Sequence, residues 1–358
     1  MKLAVVGGGW AGLAAAVRAC EAGHAVTLLE MAAQAGGRAR GVELDGLALD
    51  NGQHILVGAY RRTLDLMRTV GADAATLLLR GPLELRYADG RGLRMPPGPP
   101  ALGFVRAVAG CRGWTTADRL ALLSAAAGWA LTGFRCDPQL TAAELCRRLP
   151  PAVRELLIDP LCVAALNTPA HEASAAVLLR VLRDAVFGGD GAADLLLPRQ
   201  SLSSLLPDPA ARWLRAAGAE LRLRSRVQRP AADGGGWLVD GEPLDAVVLA
   251  CPAAEAARLV AAVAPDWARQ AAGLRHEPIV TVYLRCPGAR LPAPMTALHE
   301  SPDAPAQFAF DHGAIGATPG LFAFVISGAR HWVDTGLEAA GAAVLQQACT
   351  AFAPGTWP

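Results

Sequence analysis

Lysine is all but missing from this chain: Lys2 is the only one, and it stands at the start of the first apolar run. No second lysine is available for Schiff-base chemistry. Charge of one sign is missing too, because the formal net charge is only +1. That balance excludes the basic footprint of a nucleic-acid-binding protein and the high net charge of a disordered chain. The eight cysteines (Cys20, Cys111, Cys136, Cys146, Cys162, Cys251, Cys286 and Cys349) contain no CxxC pair. Such scatter gives neither a zinc site nor a secreted disulfide framework, so no metal is expected and the thiols read as small apolar residues in a reducing compartment. The longest uncharged apolar stretch, Leu120 to Phe134, falls short of the ~20 residues that cross a bilayer. The sequence opens directly on a core strand, so no signal peptide is expected before it. A cytoplasmic protein is expected, with contact at the inner membrane face left open. The chain also has no nucleophile elbow and no Walker loop.

What it does have is glycine in a telling order. Leu3 to Val6 lead into Gly7-Gly8-Gly9-Trp10-Ala11-Gly12, then an alanine-rich helical stretch, then a strand from Ala25 to Leu29 that ends on Glu30. This is the order of a βαβ unit that binds a dinucleotide. Gly7 allows the tight turn out of the strand, Gly9 lets backbone approach a pyrophosphate, and Gly12 lets the helix pack closely on the sheet. The helix N-terminus, with the amides of Trp10 and Ala11, offers free N–H groups to phosphate. Glu30 lies about 20 residues past the glycines, where a carboxylate accepts from ribose hydroxyls and disfavours a 2′-phosphate. Gly36-Gly37-Arg38 follows, able to curl beneath the pyrophosphate with a guanidinium as phosphate partner. Asp50-Asn51-Gly52-Gln53-His54 comes next. The later segments favour FAD over NAD.

With 358 residues, 53% of them apolar, length suggests about two domains with an ample core. A helix is expected near Arg61 to Val70, stopped by Gly71, and a hairpin over 82–95 turning at Asp89-Gly90. Pro96 to Pro100 reads as a domain crossing. Helical sequence runs from Ala101 to Leu182, broken at Pro138, Pro150-Pro151 and Asn167-Thr168-Pro169, with a Thr141/Glu144 capping box. A helix over Ala210–Ala217 and a strand over Glu220–Val227 follow. After the Asp233–Gly236 turn comes Ala246–Ala250, apolar enough for a strand covered on both faces. A helix over Ala253–Val263, strands over Ile279–Leu284 and Leu321–Ile326, and a last helix over Leu337–Phe352 complete the reading. The expected class is α/β: a discontinuous Rossmann-like FAD-binding domain (1–78 and 200–265) and a mixed, largely helical substrate domain (79–199 and 266–358).

Each motif has an ordinary alternative. The glycine loop could be a ligand-free strand-to-helix turn, and Arg38 a solvated surface residue. Asp50-Asn51-Gly52 is a turn signal whatever else it does. Gln53 and His54 are the nearest side chains able to address a flavin ring and a substrate oxygen, although a lone histidine is more often structural. Asp311-His312 and His299-Glu300 could deliver protons, with solvated loop polarity as the default. The segment around Trp114 and Trp129 could line an apolar channel, with core as the default.

Gly7 to Gly12, Glu30 and Gly36-Gly37-Arg38 resemble the signature of the phytoene desaturase and flavin amine oxidase superfamily. More narrowly, Asp50 to Leu56 with Gly58-Ala59-Tyr60-Arg61, Pro160 to Cys162, Ala164 to Pro169, Phe187-Gly188-Gly189 and Asp194 to Pro198 resemble the squalene-associated FAD-dependent desaturases, the hydroxysqualene dehydroxylases. The resemblance spans essentially the whole chain. It implies reductive removal of the allylic hydroxyl of hydroxysqualene, an isoprenoid lipid substrate, FAD, peripheral membrane contact and neighbouring upstream enzymes of squalene synthesis. It carries FAD contacts to Gly7, Gly9, Gly12, Glu30 and Arg38, and an adenine contact to the backbone of Val227 beside Ser225-Arg226; Gly37 and Gly52 complete the expected cofactor-binding set. For such a reaction the expected proton donor, read from position in the chain, is His54, alone or through Gln53, with Asp311 in reserve. The water-holding lysine of many amine oxidases has no counterpart here. The family also continues into a Gly-Asp pair and a flavin-facing helix, whereas this chain stops at Gly355-Thr356-Trp357-Pro358. A weakened flavin site and an open sheet edge are therefore expected. Oxidative desaturation of a carotenoid precursor and a non-catalytic remnant are the alternatives.

Overall fold

Strand β1 (Lys2–Val6) is apolar at four consecutive positions and buried at all four, as a central parallel strand must be. In the computed structural model, which describes residues 1–96, 98–186 and 188–352, it lies inside a four-stranded parallel sheet. Pro97, Phe187 and the terminal Gly355-Thr356-Trp357-Pro358 lie outside the described residues. Helix α1 (Trp10–Glu21) follows β1, and β2 (Ala25–Leu29) pairs with it in parallel. Strand β3 (Glu220–Arg222) adds outside β2, and β4 (Ala246–Leu249) pairs with β1 on its other side. Neighbours of β1 are thus reached in opposite directions, which places its C-terminal end at a topological switch point, where α/β sheets bind ligands.

Two strands depart from the sequence expectation. The strand expected over Glu220–Val227 stops at Arg222, because Arg224 adopts a left-handed φ of 55° and bends the chain off the sheet. Ala246–Leu249 is not covered on both faces: it is the sheet's outer strand and leaves Val248 38% exposed. The Asp233–Gly236 turn closes a hairpin as read, with Gly234 and Gly235 at positive φ.

The chain divides into two units, one of 1–54, 62–77 and 200–276, the other of 55–61, 78–199 and 277–358. The second holds an antiparallel sheet in the order Val280–Arg285, Leu321–Ile326, Phe308–Asp311, Met295–Ala297. Along Leu321–Ile326 the faces alternate. Phe322, Phe324 and Ile326 pack on one cluster with Ala340, Val344 and Ala348 of the last helix (Leu337–Ala351), while Ala323 joins the opposite cluster.

That opposite cluster is the larger core. Helix α2 (Pro100–Gly110) contributes Phe104, Ala107 and Val108, and α3 (Thr116–Leu131) contributes Leu122 and Ala126. A Thr115/Asp118 capping box starts α3, and the expected Thr141/Glu144 box is present. Trp114 belongs to this core, 5% exposed with its indole N–H on Ala152 O. The proline-rich segment is not a crossing between the units: Pro99 caps α2 and Pro100 opens it, where a fixed φ and a missing N–H cost nothing. The hairpin at 84–94 turns at Asp89-Gly90. Sheet strands at Leu56–Val57, Leu78–Gly81 and Leu195–Pro198 were too short to carry a period-two signal.

Among the described residues no helix is long and apolar enough to cross a membrane. Cys111, Cys146, Cys162 and Cys286 are buried, Cys349 is exposed, and the other three lie between. Burial pushes the Cys146 and Cys162 thiols up to about 12, so almost no thiolate exists there at neutral pH. A thiol reagent added to the native protein should modify Cys349 first and spare Cys146 and Cys162 until denaturant is present. Peptide mapping of the adducts checks this, and early labelling of Cys162 would contradict the packing.

Candidate cofactor site

Gly7, at the end of β1, has a φ of 107°, and a Cβ there would stand 2.7 Å from Ala250 O. Gly12 is tighter still: its Cβ would meet Gly7 O at 1.8 Å. Only glycine lets α1 come this close to the strand it leaves. Gly9 is the N-cap, in extended conformation and without a side-chain cap. The N–H groups of the first turn therefore face outward with the positive end of the helix dipole. A Cβ on Gly9 would meet nothing nearer than Gly37 Cα at 3.8 Å, so the space beside it is open.

Glu30 is 7% exposed and fixed against this loop. Its Oε2 accepts the Gly8 N–H at 2.6 Å and its Oε1 the Ala32 N–H at 2.7 Å. Each carboxylate oxygen keeps a lone pair for a further donor, such as a sugar hydroxyl.

The second glycine motif packs directly on the first. Gly36 donates its N–H to Gly8 O at 2.8 Å and forms a parallel bridge with Gly9. Gly37, at a φ of 61°, would place a Cβ 3.0 Å from Gly9 Cα. The indole of Trp10 donates to Ala39 O at 2.9 Å, stapling α1 to the same loop. Arg38 is exposed, and Asn51 Nδ2 donates to its carbonyl at 2.8 Å. Arg40 went unnoticed in the sequence. Its Cβ lies against Gly36, and its Nε is buried without a partner among the described residues, an orphaned donor that a phosphate would satisfy.

The Asp50–His54 segment is tied into this assembly. Asn51 donates its N–H to Arg40 O at 2.9 Å, and Asp50 Oδ1 accepts the Leu202 N–H at 2.8 Å. Burial raises the Asp50 carboxyl, opposed by Leu202, His54 and Ser201. Ser203 Oγ accepts the Gly41 N–H at 2.9 Å. These serines carry no sequence signal because they lie so far along the chain from Gly41. Gly52 turns at a φ of 87°. Half-buried His54 has Nδ1 2.9 Å from Gly52 O. A carbonyl only accepts, so Nδ1 carries the hydrogen and Nε2 is the nitrogen left to exchange a proton. Gln53 Nε2 donates to His54 O at 3.1 Å.

The remaining candidates differ. Val227 is buried, and its carbonyl accepts from Arg258 Nη2 at 2.9 Å. Asp311 belongs to the other unit and is fully buried. Its Oδ1 caps His312–Ile315 by accepting the Ala314 N–H, and Oδ2 accepts the Leu291 N–H. Backbone amides thus claim both oxygens, an N-cap role instead of a proton donor's. His299 pairs with Asp89 at 3.3 Å and stacks on Tyr87, in place of a pair with Glu300.

The geometry fits a dinucleotide with a ribose-binding acid, and the comparisons name its kind. Residues 10–356 match the family model of the flavin containing amine oxidoreductases. The chain belongs to that family, a class of FAD-dependent oxidoreductases. A hydroxysqualene dehydroxylase of Rhodopseudomonas palustris is 32% identical over 72% of this chain and 63% of its own length. The chain thus spans less than two thirds of that relative. A zeta-carotene desaturase of Synechocystis is 41% identical, but over 20% of this chain and 15% of its own. The fold is shared with an oxidoreductase from Methanosarcina mazei at a TM-score of 0.74 and 18% identity, over 100% of this chain and 86% of that one.

Two glycines separate folding from binding. Gly12→Ala forces a backbone oxygen to move and should cost about 1–3 kcal/mol or more of stability in thermal melts of the apoprotein. Gly9→Ala meets no clash, so the melt should hold while FAD affinity falls in a fluorescence titration. Equal FAD affinity in Gly9→Ala would move the pyrophosphate elsewhere.

Proposed function

We propose that this protein carries out the chemistry of a hydroxysqualene dehydroxylase, reducing the allylic carbinol of hydroxysqualene to squalene. Support comes from the likeness to the Rhodopseudomonas dehydroxylase across 72% of the chain, and from the way His54 is held. The likeness to the zeta-carotene desaturase covers only 20% of the chain.

The reaction asks the protein for one proton, placed on the hydroxyl oxygen so that the C–O bond can break and water can leave. An allylic carbon tolerates the developing positive charge. His54 is the proposed donor. Its Nδ1–H is committed to Gly52 O, so the proton it can release is the one on Nε2 of the imidazolium. Gln53 positions the segment through its bond to His54 O. Asp50, anchored on Leu202 N–H, holds the near end of the same turn. Gly7, Gly9, the first turn of α1, Glu30, Gly37, Arg38 and Gly52 would hold FAD, with Arg40 added from the structure and Val227 through its backbone. When bound, reduced FAD supplies the hydride that replaces the hydroxyl. Substrate drawn from a membrane, peripheral contact at its inner face and proximity to upstream squalene enzymes belong to the same reading.

His54→Ala should keep the flavin absorption spectrum and lower turnover by about 10²–10⁴-fold. The assay follows squalene formed from hydroxysqualene by dithionite-reduced enzyme under anaerobic conditions. Unchanged turnover removes His54 from the chemistry. A purified protein that binds no flavin favours the remnant reading instead.

A further inference from the structure

Helices α2 and α3 pack on the large core and on each other. Their outward sides are apolar. On α2, Leu102 is 45% and Val105 44% exposed; on α3, Leu120 is 62% and Leu131 89% exposed. Ala109 and Ala127 are exposed along the same two helices. A run of exposed leucine and valine on two adjoining helices exceeds the scattered single residues that surfaces normally show.

The charges along these two helices and their flanks are mainly positive. From Gly98 to Asp137 the acids are Asp118 and Asp137, against Arg106, Arg112, Arg119 and Arg135. Asp118 is 9% exposed and spent on the Thr115 N–H and hydroxyl, so it offers no surface charge. Arg119 is turned inward by its bond to Cys111 O. Arg106, Arg112 and Arg135 are exposed, and among the described residues none has a carboxylate within ion-pair distance.

From this arrangement we infer that the outer side of α2 and α3 docks on an anionic phospholipid surface. Leucine and valine would enter the acyl boundary, while arginine stems lie along it and their guanidinium groups meet phosphates. A second copy is the poorer occupant. Symmetric pairing of this face would bring its arginines together with Asp137 as the one exposed acid of the segment. The purpose of such docking rests on the dehydroxylase reading, since an isoprenoid substrate is dissolved in the bilayer. The docking test itself uses no substrate.

Purified protein would be sedimented with phosphatidylcholine vesicles, with and without phosphatidylglycerol. Binding should require phosphatidylglycerol and weaken as salt is raised. Leu120→Glu/Leu131→Glu should reduce vesicle affinity by roughly tenfold or more, and Arg106→Glu/Arg112→Glu should abolish the preference for phosphatidylglycerol. Thermal melts and flavin content should stay at the parent level. Leu131→Gln, at the most exposed of these positions, serves as the milder variant should the double change disturb folding. The inference fails if the parent protein ignores both vesicle types, or if the leucine variants bind as well as the parent. It also fails if lipid-free sedimentation shows a dimer that Leu131→Gln dissolves, which would give the face to a second copy. Vesicle binding without squalene formation would overturn the dehydroxylase reading alone, and turnover without vesicle binding would overturn the docking alone.

Discussion

The site depends on backbone touching backbone. Gly8 and Gly9 lie against Gly36 and Gly37 through one hydrogen bond and a parallel bridge, with Gly37 close enough that a Cβ would stand 3.0 Å from Gly9 Cα. A side chain at Gly37 would press on Gly9 and prise the loops apart, whereas Gly9 itself has room for a Cβ. Because the loops meet this way, Trp10 can reach Ala39, Asn51 can reach Arg38 and Arg40, and Glu30 can hold Gly8. Four short segments between Gly8 and Asn51 become one frame that offers N–H donors and guanidinium side chains. That is the electrostatic complement of a pyrophosphate.

The same frame decides which nitrogen of His54 is chemically available. Gly52 takes the Nδ1 hydrogen, and Gly52 is itself held by a turn anchored through Asp50 on Leu202. A histidine in a turn is ordinary; one whose tautomer is dictated by a carbonyl has a defined acid–base direction. Asp311 illustrates the contrast. It is as buried as any residue in the chain, yet both its oxygens serve the backbone.

How much of this could be read from residues alone follows from range. Gly7, Gly12 and the helix between β1 and β2 are legible because their constraints are local: a turn, a close approach, a period. The place of Glu30 at the end of the second strand was readable as an offset from the glycines, but its bonds to Gly8 and Ala32 were not. Arg40 was invisible because nothing in its neighbours says that Gly36 will turn onto it. Ser201 and Ser203 were invisible because loop closure over so many residues leaves no periodic trace. The end of β3 at Arg222 was misjudged because a left-handed arginine carries no signature in composition. The exposure of Val248 was misjudged because an apolar run says that a strand is greasy, not how many neighbours it has.

The scarcity of lysine has a practical side. Guanidinium does the work of cations throughout, as where Arg222 bridges Glu220 and Glu242, and the single side-chain amine sits on the first residue of β1. Amine-directed cross-linkers, dyes or surface couplings would therefore seize the molecule at the opposite end of that strand from the glycine loop, giving an immobilised protein of nearly uniform orientation.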